Sequence, residues 1–307
     1  MSRRGVRRSK VLPTKREAID WGARVEAEIM AGSTGAASPQ PLSEVLTRYA
    51  REVSPTKRGE RWESLRLNNF AKSDLGRIRM RDLGPEDIAR WRDARLAVVS
   101  PGTVRRELNL LSAVLTKAVK EWRLIASNPC EDVTKPTPPP ARDRLVTDDE
   151  IERLVHVAGD DLGNATARAI HAFRLACVTG MRAGEIVGLR WAAVDLDSRV
   201  ARLARTKNGT AREVPLSLAA VDLLRPLAGR DPIFGLHSRQ LDALFRKVRE
   251  KAAIEGLTFH DSRHRAITDL SQKLDVLALA KMVGHRNIRQ LLTYYDASAS
   301  DLARRLD

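Results

Sequence analysis

The segment VARLARTKNGTAREVPL, residues 200–216, carries the clearest strand signal in a chain that is otherwise patterned for helices. Asn208-Gly209 lies between two extended runs, and this pair is typical of a tight hairpin turn because both central residues take a positive φ. Pro215 cannot donate a ladder hydrogen bond, which favours an edge position for its strand. Three short runs are therefore predicted as strands of a small antiparallel sheet: Val194–Leu196, Val200–Thr206 and Ala211–Leu216.

Helical periodicity dominates both sides of this hairpin. The clearest case is a stripe whose apolar positions alternate steps of four and three: Val104, Leu108, Leu111, Leu115, Ala118 and Trp122. Such spacing places all of them on one helix face, which is typical of core packing. Shorter patterns of the same kind occur at Leu42–Tyr49, Trp62–Phe70 and Asp87–Leu96. The fold class expected is mainly α with a small antiparallel β-sheet.

Composition divides the chain into four segments. Residues 1–40 form a basic arm followed by a helical pattern, and residues 41–130 form a helical domain. A Pro-rich run within residues 131–143 interrupts all periodicity and is predicted to be a linker. Residues 144–307 form the second domain, which opens with Thr147-Asp148-Asp149-Glu150, a predicted capping box.

The charge balance favours a polyanionic partner. The chain has 307 residues with 54 Lys and Arg against 39 Asp and Glu, a net charge of +15. A surplus of this size points to nucleic acid first, although a basic surface without a specific partner and an acidic membrane surface are alternatives. The two cysteines are too few for a disulfide framework, and no window is apolar enough to span a bilayer. We expect a soluble, cytoplasmic, nucleoid-associated protein with no membrane partner.

One candidate phosphate contact lies at the start of the apolar stripe. Thr103, Arg105 and Arg106 follow Ser100-Pro101-Gly102 at a predicted helix N-terminus, where free backbone amides attract anions. A simple helix cap is the alternative interpretation.

Six polar residues in the second domain suggest one chemistry when they are taken together: Arg182, Lys207, His260, Arg263, His285 and Tyr294. A phenol, three cations and two imidazoles are the groups needed to attack a phosphodiester and to stabilise its transition state. Each residue has a structural alternative when taken alone. Arg182 can form a surface ion pair with Glu185, Lys207 can keep a hairpin soluble, and Tyr294 can be a core residue.

Local signals also predict helix ends beside the site residues. Gly180 is predicted to end the helix before Arg182, and Gly284 the short helix before His285. Tyr294 is predicted to lie on or after a helix that begins near Asn287.

Two points stay open on physical grounds. Tyr295 follows Tyr294 directly, so spacing does not decide which of them is the nucleophile. His260 and His264 are four residues apart, as in a zinc-binding helix, but the Glu that would serve as base is missing and Arg263 lies between them. We therefore predict no metal and no cofactor, and His260 and Arg263 are expected to converge on one oxyanion.

Four segments together resemble the tyrosine recombinase (phage integrase) family. They are TGMRAGEIVGLRW at residues 179–191, RTKNGTAREVPL at 205–216, HDSRH at 260–264 and VGHRNIRQLLTYY at 283–295. The resemblance covers the whole second domain, and the helical region from Leu42 to Ser127 resembles the family's core DNA-binding domain. It implies a mixed α/β catalytic domain after a helical core DNA-binding domain.

The resemblance also implies roles. In this family the tyrosine lies nine residues beyond the Gly-His histidine, which selects Tyr294. Its attack would give a 3′-phosphotyrosyl link, with Arg182, Arg263 and His285 on the non-bridging oxygens. Lys207 would protonate the leaving 5′-oxygen, and His260 would assist the proton of the tyrosine. Glu185 would orient Arg182.

The implied enzyme is a site-specific DNA recombinase that needs neither metal nor ATP and integrates, excises or inverts mobile DNA. Its implied partners are double-stranded DNA, a homotetramer on two DNA sites, and accessory DNA-bending or excision factors. Two rivals remain: a monomeric type IB topoisomerase-like relaxer, and a catalytically silent DNA-binding regulator. Ser262 and Val283 depart from the family pattern at packing positions, and the segment before Ser38 is short for a separate arm-binding domain.

Overall fold

The computed structural model describes residues 2–3, 6–7, 13–30, 38–137, 143–203, 211–285 and 287–295. The chain divides into an N-terminal unit, Met1–Ala141, and a C-terminal unit, Arg142–Asp307. The division falls within residues 131–143, where the sequence predicts the linker. Val133 is buried, with only 8% of its surface exposed, and packs in the core of the N-terminal unit. That unit therefore continues past the short 3-10 turn Pro129–Asp132.

Helices build the N-terminal unit. They are α1 (Lys15–Met30), α2 (Leu42–Glu52), α3 (Glu60–Lys72), α4 (Asp74–Arg77), α5 (Pro85–Leu96) and α6 (Pro101–Lys120). Two two-residue strands, β1 (Ser2–Arg3) and β2 (Val6–Arg7), pair antiparallel ahead of them. The four helical patterns predicted between Leu42 and Trp122 correspond to α2, α3, α5 and α6.

The α6 stripe forms the centre of this unit's core. Its members from Val104 to Ala118 are at most 1% exposed, as the spacing predicted. Trp122 is the exception, because the helix ends at Lys120 and the indole lies beyond it. There it packs edge-to-face on Tyr49, with ring centroids 6.3 Å apart. The guanidinium carbon of Arg48 lies 4.3 Å from the centroid of the Trp122 ring.

The C-terminal unit adds seven helices to the described part of the chain. They are α7 (Asp148–Ala158), α8 (Ala165–Thr179), α9 (Ala183–Val187), α10 (Leu218–Leu224), α11 (Ser238–Lys251), α12 (Asp261–Ser271) and α13 (Val276–Val283). Thr147 and Glu150 form the predicted capping box at the start of α7. The core centres on Phe173 of α8, whose ring lies 4.7 Å from that of Phe245 and 5.5 Å from that of Phe259.

The predicted antiparallel sheet is present in this unit. Its strands are β3 (Val194–Asp195), β4 (Val200–Leu203) and β5 (Arg212–Pro215), in the order β3-β4-β5. Val200 pairs with Pro215 and Leu203 with Arg212. Pro215 is thus on an edge strand, as expected. The predicted turn, and Lys207 with it, lies outside the described residues.

The mainly α fold with a small antiparallel sheet agrees with the expected fold class. Within the described ranges, no helix combines the length and the apolarity that crossing a membrane would need.

Candidate active site

Two helix ends meet in the C-terminal unit. Gly180 ends α8 at φ +64°, and Gly284 ends α13 at φ +68°, as the sequence predicted for both. A Cβ on Gly180 would lie only 3.2 Å from the Cγ1 atom of Val283, so the two ends approach closely because this residue is a glycine. After Gly180 the chain turns at once into α9, with Arg182 at its N-cap position.

Arg263 joins these two helix ends. Its side chain donates one hydrogen bond to the carbonyl of Gly180 and another, of 2.7 Å, to the carbonyl of Val283. The C-terminal end of a helix carries partial negative charge, which suits a cation there. The residue is 3% exposed. Burial, together with the charges of Arg182 and Arg212, lowers the pKa of Arg263 to about 9. The guanidinium therefore remains protonated at neutral pH.

Glu185 holds two further arginines. Its carboxylate accepts hydrogen bonds from the backbone amide of Arg182 at 2.8 Å and from the Nη1 atom of Arg182 at 3.1 Å. It also accepts a bidentate pair from Arg212, at 2.7 and 2.8 Å. Burial acts to raise the pKa of Glu185, but the hydrogen bonds from Arg212 and the Arg182 amide lower it on balance. The carboxylate is therefore charged, and it orients Arg182 as the sequence suggested.

Arg212 is a site residue that the sequence analysis did not single out. Its Nε atom donates to the carbonyl of Met282 at 2.8 Å, and a Cβ on Gly284 would lie 3.1 Å from its guanidinium. A signal was available in strand β5. Arg212 and Val214 are two residues apart on the strand, so their side chains lie on the same face of the sheet. Val214 is fully buried, which shows that this face is covered.

The two histidines predicted for the site differ in exposure, since His285 is half-buried and His260 is exposed, but their surroundings favour the neutral ring in both. Burial, followed by the charges of Arg263 and Arg182, lowers the pKa of His285 to about 4. Its Nδ1 atom is buried and has no hydrogen-bond partner in the part of the chain that the structure describes. Burial and the charge of Arg263 also lower the pKa of His260, which caps α12. Each imidazole can therefore still donate one hydrogen bond to an incoming anion.

The two adjacent tyrosines have different partners. The hydroxyl of Tyr294 lies 2.8 Å from the Nδ1 atom of His264, whereas that of Tyr295 donates to the carbonyl of Leu274 at 2.7 Å. Burial raises the pKa of Tyr294, and the charge of Arg263 acts in the opposite direction. Tyr294 is thus the tyrosine whose hydroxyl contacts an ionisable side chain and is influenced by the charge of Arg263. It ends a 3-10 turn, Leu292–Tyr294, and not the α-helix that the sequence suggested near Asn287.

The structure brings five of the six predicted residues into one interacting group. The charge of Arg182 acts on Arg263, both arginines act on His285, and Arg263 also acts on Tyr294. His260 belongs to the same group through Arg263 and Arg182. Lys207 lies outside the described residues. The contact that sequence reasoning missed is His264 on Tyr294.

The candidate phosphate contacts of the N-terminal unit lie in the first turn of α6. Arg106 is exposed, and its guanidinium is 3.3 Å from the hydroxyl oxygen of Thr103, which also contacts Ser100 at 3.1 Å. Arg105 donates to the carbonyl of Pro136 at 3.0 Å, so one of its nitrogens already has a partner.

No three His, Cys, Asp or Glu side chains of the described segments are grouped so as to hold a metal ion. His260 and His264 lie on the same helix with ring centroids 6.4 Å apart, and His264 faces Tyr294.

Comparisons with known proteins identify the family of this chain. Residues 144–301 match the model of the phage integrase family. A Haemophilus influenzae protein named integrase/recombinase is 38% identical over 316 aligned positions, covering 97% of this chain and 84% of that protein. The shufflon-specific DNA recombinase of Escherichia coli is 36% identical over 278 positions, covering 87% of this chain and 71% of that protein.

The fold is also similar to that of lambda integrase in the crystal structure of its tetramer bound to a Holliday junction. The TM-score is 0.71 at 16% identity, covering 92% of this chain and 88% of that one. The family match and the two relatives lead to one conclusion. This chain belongs to the phage integrase family, and as an enzyme it is a site-specific recombinase of the tyrosine type.

Proposed function

We propose that this recombinase cleaves and rejoins double-stranded DNA through a 3′-phosphotyrosyl intermediate formed by Tyr294. The observation that carries the proposal is the difference between the two tyrosines. The hydroxyl of Tyr294 is hydrogen-bonded to the imidazole of His264 and is influenced by the charge of Arg263, whereas that of Tyr295 is hydrogen-bonded to a backbone carbonyl.

The reaction follows from the groups around the tyrosine. The phenol oxygen attacks phosphorus, the bond to the 5′-oxygen breaks, and the leaving oxygen takes a proton from Lys207. Arg182 and Arg263 stabilise the charge that develops on the non-bridging oxygens, and His285 adds a neutral donor. Glu185 and Arg212 hold Arg182 in place, so the donors need little reorganisation when the transition state forms.

The covalent link preserves the energy of the phosphodiester. The 5′-hydroxyl of another strand can therefore reverse the reaction without ATP, which exchanges strands between two duplexes. Integration, excision and inversion all use this chemistry and differ only in how the two sites are arranged.

The assembly is proposed to be a homotetramer on two DNA sites, which the tetrameric state of lambda integrase on a Holliday junction supports. The net charge of +15 supports an extended DNA interface, to which Thr103, Arg105 and Arg106 contribute in the N-terminal unit. Accessory DNA-bending or excision factors belong to the same proposal.

The test uses a nicked suicide substrate, which traps the covalent adduct because the cleaved 5′-fragment diffuses away. Tyr294→Phe should give no adduct, and the matched variant Tyr295→Phe should still form it. Both variants should bind DNA like the unmodified protein. Adduct formation by Tyr294→Phe would refute the assignment. Cleavage should also survive EDTA, since the proposed cations are protein side chains.

A further inference from the structure

The hydrogen bond between Tyr294 and His264 gives this histidine a chemical environment that the other histidines of the site do not share. Its Nδ1 atom is 2.8 Å from the tyrosine hydroxyl, within ordinary hydrogen-bond length. A phenol donates its proton to an imidazole nitrogen that has a free lone pair. In the tautomer that lets the phenol donate, Nδ1 is the unprotonated nitrogen of the neutral ring and Nε2 carries the hydrogen.

The backbone that carries His264 is fixed by its buried neighbours. The carboxylate of Asp261, which is fully buried, accepts the backbone amide of Thr258 at 2.7 Å. The hydroxyl of Ser262 donates to the carbonyl of Phe259 at 2.6 Å, so this departure from the family pattern has a packing role here. Arg263 anchors the next position to two helix ends, as described above. His264 therefore contacts Tyr294 from a helical turn whose preceding residues are fixed by hydrogen bonds.

The phenol needs such a partner. Burial raises the pKa of Tyr294, so the hydroxyl is neutral at physiological pH and its proton must leave when the oxygen attacks. His260 is a weaker candidate for this step, because the described hydrogen-bond partner of the hydroxyl is His264.

We propose that His264 is the general base of the cleavage step and takes the Tyr294 proton on Nδ1. The inference rests on the proposed function, since it assumes that Tyr294 is the nucleophile. The proton passes to His264 as the bond from the phenol oxygen to phosphorus forms and the bond to the 5′-oxygen breaks. Lys207 supplies the leaving oxygen with its own proton. In the rejoining step the imidazolium returns its proton to the departing phenolate.

Several ionisable groups surround the pair. Those at the site are His260, Asp261, Arg263, Arg182 and His285. Helix α8 packs along α12, and its Cys177 is influenced by Arg265 and Asp269 farther along α12 and by Arg174 of its own helix. Helix α13 also packs on α12, and Lys281, its single charged residue, is exposed. The pH dependence of cleavage must therefore be compared between variants and not assigned from one curve.

The experiment measures single-turnover cleavage of the suicide substrate from pH 5 to pH 9 at saturating DNA. The decisive variant is His264→Asn, whose amide oxygen can accept the tyrosine hydrogen bond but cannot take the proton. We expect a loss of about 10²–10⁴-fold in rate, typical of a general base. The rise in rate with pH that depends on the imidazole should also disappear. His156→Asn, at an exposed position of α7, is the matched control and should behave like the unmodified protein.

A second substrate separates the two proton transfers. When sulfur replaces the bridging 5′-oxygen, the leaving group no longer needs a proton. His264→Asn should remain slow on this substrate, because its defect lies at the nucleophile. Full rescue by the thiolate would overturn the proposal, since His264 would then serve the leaving oxygen.

Two more results would be decisive. An unchanged rate and pH profile for His264→Asn would show that the contact only positions the tyrosine, and the proposal would fail. His264→Ala supplemented with free imidazole gives an independent readout, in which rescue supports a proton acceptor and its absence opposes one. Failure of the underlying function is distinguishable, because Tyr294→Phe would then still form the adduct.

Discussion

Each unit of the molecule contains a glutamate whose side chain is shielded from solvent and bound by two arginines, but the two clusters have different surroundings. In the N-terminal unit Glu107 is 2% exposed and binds Arg95 at 2.9 and 3.2 Å and Arg66 at 3.1 Å. In the C-terminal unit Glu185 binds Arg182 and Arg212 at similar distances. A shielded carboxylate that binds two arginines is therefore not evidence of catalysis by itself.

The surroundings make the difference. The Glu107 cluster joins helices α3, α5 and α6 of one core. The Glu185 cluster lies where two glycine-ended helices meet, and its charges act on His285 and Arg263, which in turn acts on Tyr294. The same ion pairing joins three helices in one place and, in the proposed mechanism, orients a phosphate-binding arginine in the other.

The largest expected difference between the clusters is in the cleavage rate. Arg182→Lys replaces a planar guanidinium with a point charge that cannot bind a phosphate in two places. It should lower single-turnover cleavage by about 10²–10³-fold, the usual cost of one preorganised donor. Arg95→Lys changes the corresponding pair in the N-terminal unit and should leave the rate at saturating DNA unchanged. A comparable rate loss for both variants would remove the distinction between the clusters.

The two glutamates should have similar effects on stability. Glu185→Gln and Glu107→Gln each remove the counter-charge of two guanidinium groups. The loss should be smaller than the cost of about 3–5 kcal/mol for a fully buried pair, because Arg66, Arg95 and Arg182 are partly exposed. Hydrogen exchange measured in increasing urea gives a free energy of unfolding for each unit separately, because one unit can unfold while the other stays folded. We expect Glu107→Gln to destabilise only the N-terminal unit. Glu185→Gln should destabilise the C-terminal unit and also slow cleavage, and a stable Glu185→Gln variant would contradict the pairing described here.

The smallest expected effect is a difference in pH dependence. All six histidines lie in the C-terminal unit, and burial lowers the pKa of His171, His260 and His285. The unfolded chain therefore binds more protons than the folded unit as the pH falls below about 6.5, the ordinary histidine value. The stabilising effect of these neutral rings is present above that pH and is lost progressively toward pH 4.

Hydrogen exchange at pH 7 and pH 5.5 can measure this difference, after correction for the intrinsic exchange rate. Protection should fall in the C-terminal unit and change less in the N-terminal unit, which has no histidine. His285→Asn should reduce the loss of protection in the C-terminal unit between pH 7 and pH 5.5. Equal losses of protection in both units would show that other groups control stability in this pH range.

The sequence predicted what depends on local spacing. The α6 stripe, the capping box of Thr147 and Glu150, and the glycine helix ends at Gly180 and Gly284 all follow from rules that act over a few residues, and all are present. The grouping of arginines and histidines was reached through the resemblance of four separated segments, because periodicity does not show which distant side chains meet.

The rest depended on tertiary contacts. Arg212 was overlooked because its partner, Glu185, is 27 residues away and belongs to a different element. The pairing of His264 with Tyr294 spans 30 residues and requires a 3-10 turn where the pattern favoured an α-helix. Trp122 fitted the stripe by spacing, but the helix ended before it.

The central claim is that the phenol of Tyr294 becomes linked to DNA, and the most direct measurement identifies the linked residue chemically. The covalent adduct formed by the unmodified protein on a suicide substrate would be digested with nuclease and protease and sequenced by mass spectrometry. We expect the residual 3′-phosphonucleotide on Tyr294. A nucleotide on Tyr295, or on any other side chain, would contradict the account.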